Sequence, residues 1–537
     1  MGTVLQQWDD SELENLDTTV IQQPQRLAVS ASGMASTQHY LATEAAVQML
    51  DAGGNAVDAA VAAAFALGVC EPAASGLGGQ TMMLVHLARS RRSFALDGSS
   101  RAPNRTSLQE LSREHRRRGY KATTVPSTPA VLWYALERYG TLGLKEVMSP
   151  AVRLAEHGYQ VSELQRKLAE RVKKILKQNS ASELFLKGDK KTYRVGEKFC
   201  QPVLAKTLKR LSSAGIEDFY TGQIARLIHK DMARNEGLIT NEDLAQIPWP
   251  IERKPVSCRF EDCRVVTFPP PGAGRTLVEM FNIIGHIPKK YRNVDTPEGA
   301  LMLAQAIRQA NRDRTDRPFD PNFYAQIPQK QMLSPDYAKT IARWSLRTIK
   351  TGGETTHLSV MDRFGNVVAL TQSIERVYGA CAATPELGFL YNNYMLAFED
   401  DDIRHPYYLR PNAVPWASVA PTIIFKNRKP WIAIGSPGSG RIVSSIAQVL
   451  LRLKSQLPFE AVDAPRLHCS VDGLVSLEAA RMRTDIPDVL EHHGFRVDIR
   501  DPYSFYMGSV QLVMRDGDKF IGVADPRRDG SAGGPNK

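Results

Sequence analysis

The 537-residue chain has no long apolar run. Its longest, Val61 to Cys70, falls short of the roughly 20 residues that a membrane-spanning helix needs. The first 25 residues are polar and acidic (Asp9, Asp10, Glu12, Glu14) and contain no apolar signal core, which predicts a disordered lead-in over 1–25. Gln6 stands where a myristoylation motif needs Ser or Thr. These absences predict a cytoplasmic protein with no membrane partner. Cysteine is scarce: six residues, no C-x-x-C pair, and no histidine near Cys258 or Cys263. That pattern excludes a zinc site and a disulfide framework, and leaves reduced thiols that are mostly core. Aromatic residues do not interleave with the basic clusters at 113–118 and 166–177, so a net charge of +11 does not indicate a nucleic-acid partner. No internal repeat or low-complexity tract occurs.

What is present is an ordinary globular composition, 43% hydrophobic and 23% charged. A strand is expected over 28–32 and a helix over 40–51, stopped by Gly53-Gly54. An Ala-rich helix capped by Asn55 is expected to Leu67, its small side chains suiting close packing in a core. Strands are predicted over 82–87 and 93–96. Helical periodicity dominates from about 126 to 251, with helices over 130–139, 144–155 and 223–235. Leu164, Leu168, Val172 and Leu176 form the apolar face of a basic helix. Further helices are expected over 276–284 and 296–312. A polar segment then runs from about 313 to 353. Beyond it the pattern turns to strands, over 358–361, 367–372, 422–425, 431–434, 474–477 and 510–514, with one helix over 442–453. Helices flanking an antiparallel sheet system make this an α+β chain.

Within the later half, Gly352-Gly353-Glu354-Thr355-Thr356-His357 carries the chemistry. The two glycines permit a strained turn. A threonine hydroxyl is a poor nucleophile unless a base lies beside it, and an α-amine on the same residue is such a base. That amine has an ordinary pKa of roughly 7.7–8.0, so it is partly neutral at physiological pH. It exists only if the Glu354–Thr355 bond is cut. The triplet thus predicts a precursor that cleaves itself, Thr355 Oγ1 attacking the Glu354 carbonyl, and whose new amino terminus is the nucleophile. Thr356 and His357 are expected to be structural, because adjacent residues on a strand point to opposite faces.

The triplet keeps specific company. Gly53-Gly54-Asn55-Ala56-Val57-Asp58-Ala59-Ala60, Glu71-Pro72, Gly76-Leu77-Gly78-Gly79, Asp362, Gly365-Asn366, Tyr391-Asn392-Asn393, Ala420-Pro421-Thr422, Gly435-Ser436-Pro437-Gly438, Ala464-Pro465-Arg466 and Asp525-Pro526-Arg527 follow in order over nearly the whole length. In these blocks the chain resembles the γ-glutamyltransferase (glutathione hydrolase) family of N-terminal nucleophile hydrolases. The resemblance implies an αββα four-layer sandwich, a large fragment over 26–354, a small one over 355–537, and cofactor-free, metal-free chemistry. It implies two consecutive backbone amides, at Gly438 and Ser439, as an oxyanion hole; the family usually has two glycines there. It implies that the hydroxyl of Ser373, where the family has threonine, orients the nucleophile's amine. The partners implied are a small-molecule amide donor, with water or an amine as acceptor.

In the donor pocket the resemblance breaks down. Where relatives hold a γ-glutamyl α-carboxylate with an arginine and two serines, this chain has Ser99, with Arg101 two residues on, and Ala417 beside Ser418. Glu375 replaces an asparagine and Ala397 an acid; Tyr394 and Met395 are candidate walls. The span 397–417 is shorter than in lidded relatives, which predicts an open pocket. Concentrated on one sub-site, these changes predict altered acyl specificity. A γ-glutamyl compound such as glutathione is the first expectation for the donor. A β-lactam side chain, a small amide such as oxamate, or a secondary metabolite comes next, and an uncleaved binding protein is the reading from another class.

Overall fold

The computed structural model describes residues 24–109, 111–316 and 354–535; the expected lead-in, up to residue 23, and 317–353 of the polar segment lie outside them. Two seven-stranded antiparallel sheets face each other. One runs Leu27–Ser30, Lys519–Ala524, Gln511–Asp516, Lys429–Gly435, Thr422–Lys426, Cys263–Thr267, Val256–Phe260. The other runs Ser531–Gly533, Gly33–Thr37, Glu354–Asp362, Val367–Glu375, Gln80–Leu87, Arg92–Gly98, Ile251–Arg253. In the first sheet four strands from beyond residue 354 lie between strands from before it; in the second, Glu354–Asp362 and Val367–Glu375 lie between such strands, and Ser531–Gly533 is added at one edge. Neither part of the chain could form either sheet alone.

Period-2 alternation builds the layers. Met82, Leu84, Met361, Val367 and Ala369 point between the sheets, where they meet Val266, Ile423, Ala433 and Val513. Met83, Val85, Leu358, Val360, Val368 and Leu370 point the other way, into a core shared with the helices Tyr40–Asp51, Ala56–Cys70 and Thr128–Tyr139. Helices Gly274–Gly285, Pro297–Asp316 and Arg441–Arg452 cover the outer face of the first sheet. The result is the expected αββα sandwich.

Local rules hold where they act alone. Asn55 Oδ1 accepts from Val57 N–H at 2.7 Å, and Asp58 Oδ2 accepts from Asn55 N–H at 2.7 Å, a reciprocal cap on the Ala-rich helix. Asp362 joins two motifs, accepting from Ala56 N–H at 2.9 Å and from Asn366 N–H at 2.9 Å across the hairpin turn. The strand Gly33–Thr37 has no sequence expectation behind it. All five residues are buried, so no polar alternation marks them. The helix expected to end at 312 continues to Asp316, four residues into the polar segment. All six cysteines are free, and no helix among the described residues is long and apolar enough to cross a membrane.

Buried charge ties the last motifs together. Arg466 Nη2 lies 2.5 Å from Asp525 Oδ2, Arg527 Nη1 lies 3.2 Å from Asp525 Oδ1, and Arg527 also pairs with Glu478. All four side chains are fully buried.

Candidate active site

Thr355 lies near the start of the strand Glu354–Asp362, 5% exposed, in the wall of a cavity of about 340 Å³. The ladder pairs Glu354 with Glu375 and Thr356 with Gln372, so Ser373 and Ile374 both stand opposite the single Thr355. Such a bulge leaves backbone groups outside the regular ladder and re-aims side chains. Glu375, with φ +76°, sits in the left-handed region where the bulge ends. The Ser373 hydroxyl is held there: it accepts from Glu375 N–H at 2.8 Å, and the Tyr394 phenol lies close to it. Burial, with the Glu375 carboxylate nearby, pushes the Tyr394 phenol well above its ordinary pKa, so it stays protonated.

Elsewhere in the cavity wall the chain turns through Gly438 (φ +117°) and Ser439 (φ +53°) before the helix Arg441–Arg452. Neither backbone N–H donates to an acceptor among the described residues. Successive N–H groups in such a turn form a concave anion site, and Ser439 lines the cavity beside Thr355. Serine at positive φ carries a steric cost of roughly 1–2 kcal/mol that glycine lacks. Ser439→Gly should therefore stabilise the protein by about 0.5–1 kcal/mol once the larger unfolded-state entropy of glycine is offset. Chemical denaturation measures this, and a loss of stability would show that the turn is not strained.

His357 does not oppose Thr355. Thr356 is the residue that points to the other face, and His357, two residues on, shares the inter-sheet face with Thr355, because strand side chains repeat every second residue. Its hydrogen bonds make it structural: Nδ1 meets Thr371 Oγ1 at 2.8 Å and Nε2 meets Ser359 Oγ at 3.1 Å. Burial pulls its pKa down to about 3, too low for a base at neutral pH. His468, also in the cavity wall, is likewise pulled down to about 3, chiefly by burial, and its Nδ1 pairs with Ser444 Oγ at 3.0 Å.

The His357 ring also accounts for Gly435. A Cβ at residue 435 would come within 2.2–2.5 Å of three ring atoms of His357, across the gap between the sheets. Gly435→Ala should cost about 1–3 kcal/mol by overpacking, measured as a fall in the denaturation midpoint. An unchanged midpoint would mean that the ring is free to move.

Of the residues singled out in the sequence, Thr355, Glu375, Tyr394, Ser418 and Ser439 line this one cavity. Ser373 and Gly438 do not line it; both are buried, and Gly438 precedes the lining Ser439. Arg101 does not line it; its backbone pairs with Val125, and its side chain is half-buried. Met395 packs instead with Ala102, Leu111, Phe398 and Leu409.

Three contributors lacked a sequence signal. Arg528 Nη1 donates to the Thr355 carbonyl at 3.2 Å and lies 3.7 Å from Glu71 Oε1, which joins the Glu-Pro motif to the candidate nucleophile. Arg314 and Trp416 line the cavity from a helix and a loop about a hundred residues apart. Adjacency of Arg528 to Asp525-Pro526-Arg527 was the one available clue. No group of three or more potential metal ligands occurs among the described residues.

A family model described as Gamma-glutamyltranspeptidase matches residues 42–534. The chain belongs to that family. It is therefore an N-terminal nucleophile hydrolase of the threonine type, a self-processing amidohydrolase. It is 31% identical to the glutathione hydrolase proenzyme of Bacillus subtilis (strain 168), over 95% of this chain and 92% of that one. It is 32% identical to the acylase ACY 1 proenzyme of Pseudomonas sp. (strain V22), over 94% of each. Among solved structures, a cephalosporin acylase from Bacillus halodurans superposes with a TM-score of 0.87 at 26% identity, covering 97% of this chain and 99% of its own.

Proposed function

We propose that Thr355 is the nucleophile of this family member and that the chain is cut between Glu354 and Thr355 to arm it. One observation carries the reading: Thr355 shares a cavity with Ser439, whose N–H has no acceptor among the described residues, while both nearby imidazoles are held neutral in hydrogen bonds. With no histidine poised as base, the residue's own amine is the group left to accept the hydroxyl proton. In the precursor, Thr355 Oγ1 attacks the Glu354 carbonyl, the C–N bond breaks, its nitrogen becomes the Thr355 amine, and water hydrolyses the ester. In the mature protein the same oxygen attacks a substrate amide, the amine takes the proton and passes it to the leaving nitrogen. The acyl group then goes to water or to an acceptor amine. Ser439 N–H, with Gly438 N–H, would stabilise the oxyanion, each such donor contributing about 10²–10³ in rate. Ser373 would orient the amine, and the fragments 1–354 and 355–537 would remain interleaved.

A γ-glutamyl compound such as glutathione is the first donor class, by likeness to the glutathione hydrolases. A second reading is favoured by Ser99, Ala397 and Ala417, which remove parts of the family's γ-glutamyl clamp, and by the near full-length likeness to acylases: hydrolysis of a different acyl amide, such as a β-lactam side chain. A cytoplasmic location is part of the proposal. Turnover of γ-glutamyl-4-nitroanilide against a panel of acyl-4-nitroanilides decides between the two. A γ-glutamyl preference supports the first, and a non-glutamyl preference the second.

A further inference from the structure

The cavity holds a cation that has no counter-ion among the described residues. Arg314 belongs to the helix Pro297–Asp316, where Asn311, Arg314 and Thr315, at i, i+3 and i+4, all line the cavity. Its guanidinium is fixed from three sides. Nη2 donates to the Ala417 carbonyl at 2.8 Å, Nη1 lies 3.5 Å from Ser418 Oγ, and the carbon of the guanidinium sits 5.1 Å over the Trp416 ring. Trp416 is itself stacked on Tyr407 at 4.3 Å. Both hydrogen-bond partners are neutral, and no carboxylate among the described residues lies within ion-pair distance of it. Burial pulls its pKa down to about 10, which leaves it charged at neutral pH.

Removing a charge from water without a partner is costly, and a planar guanidinium held rigid in a cavity is suited to a bidentate carboxylate. The other charged groups lining the cavity are differently placed. Arg376 is exposed at the mouth, where water solvates it, and Glu375 and Glu399 are acids, which suit a cation. Ser418 adds a hydroxyl beside the guanidinium.

We infer that Arg314, with Ser418, binds a carboxylate at the distal end of the acyl group, so that the donor is an amide of an anionic acyl chain. This rests on the reading of Thr355 as the nucleophile in the same cavity. It brings the carboxylate anchor from a helix of the first fragment, remote in sequence from Arg101, and it admits both a γ-glutamyl group and a simple dicarboxylic monoamide.

The test uses the full processed protein and the succinyl, glutaryl and adipoyl 4-nitroanilides, each against its own methyl ester, which has the same chain without the charge. At least one acid should exceed its ester in kcat/KM by roughly 10- to 100-fold, the range for a hydrogen-bonded charge partner. Arg314→Met should abolish that preference, chiefly through KM, and Arg314→Lys should restore part of it. Esters turned over as well as acids throughout, or a Met variant that lowers both alike, overturn the inference. Calorimetric binding of glutarate, compared with its dimethyl ester, needs no turnover: equal binding of the two by the wild type overturns the anion site. That comparison also serves if the Met variant fails to fold. Nitroaniline release that survives Thr355→Ala would instead overturn the nucleophile assignment, and glutarate binding would still judge Arg314.

Discussion

Thr355→Ala is expected to run as a single full-length polypeptide on a denaturing gel and to lose amide turnover by on the order of 10⁴-fold or more, as expected for loss of a nucleophile. Two losses coincide in that variant. The oxygen that would attack the Glu354 carbonyl is gone, so the bond stays closed. The α-amine that would serve as base is therefore never released. The wild type should give two fragments, and amino-terminal sequencing of the smaller should begin at Thr355. Two fragments from the Ala variant, or a fully active unbroken wild type, would remove the mechanism. The bulge opposite Thr355 supports this expectation, because it leaves the backbone there outside the regular ladder that pairs Thr356 and the residues after it.

Asp525→Asn should destabilise the protein by about 3–5 kcal/mol, the scale for breaking a buried ion pair and leaving its partners uncompensated. Here the fully buried partners are Arg527, which keeps its pair with Glu478, and Arg466, which has no other ion pair among the described residues. Denaturant midpoints measure the effect; a change under ~1 kcal/mol would mean that water reaches the cluster. The same carboxylate sets an acid limit. Burial acts to raise its pKa, but Arg466, Arg527 and two backbone N–H groups outweigh that and hold it below the ordinary carboxylate range. A depressed folded-state pKa contributes stability that is complete above the unfolded value of roughly 3.9 and is lost as pH falls through the folded one. Acid unfolding of the wild type should therefore include this term, and Asp525→Asn should flatten the stability profile below about pH 4. Arg528 lies next in the chain and donates to the Thr355 carbonyl, so the loss of this cluster should also loosen the candidate nucleophile.

Much of the site was legible before any coordinates. The Asn55 cap and the hairpin turn at Asp362 to Asn366 depend on neighbours a few residues away, as does the chemistry proposed for Thr355, and those neighbours are in the sequence. The Gly33–Thr37 strand was not legible, because burial on both faces removes the alternation that marks a strand. His357 shares a face with Thr355, contrary to the sequence expectation. Its face was misassigned, and only the Thr371 and Ser359 hydroxyls, with Gly435 on the facing sheet, show why it is structural.

The residues from Gly352 to His357 by themselves pointed to the chemistry proposed for this protein, since a hydroxyl and a prospective amine on one residue need no further geometry to be recognised. Which charges surround that hydroxyl was decided by tertiary structure alone. Arg314 reaches Ser418 across 104 residues, and Arg528 reaches Thr355 across 173. Contacts at such separations arise from how two sheets and their helices pack, and no local propensity encodes them.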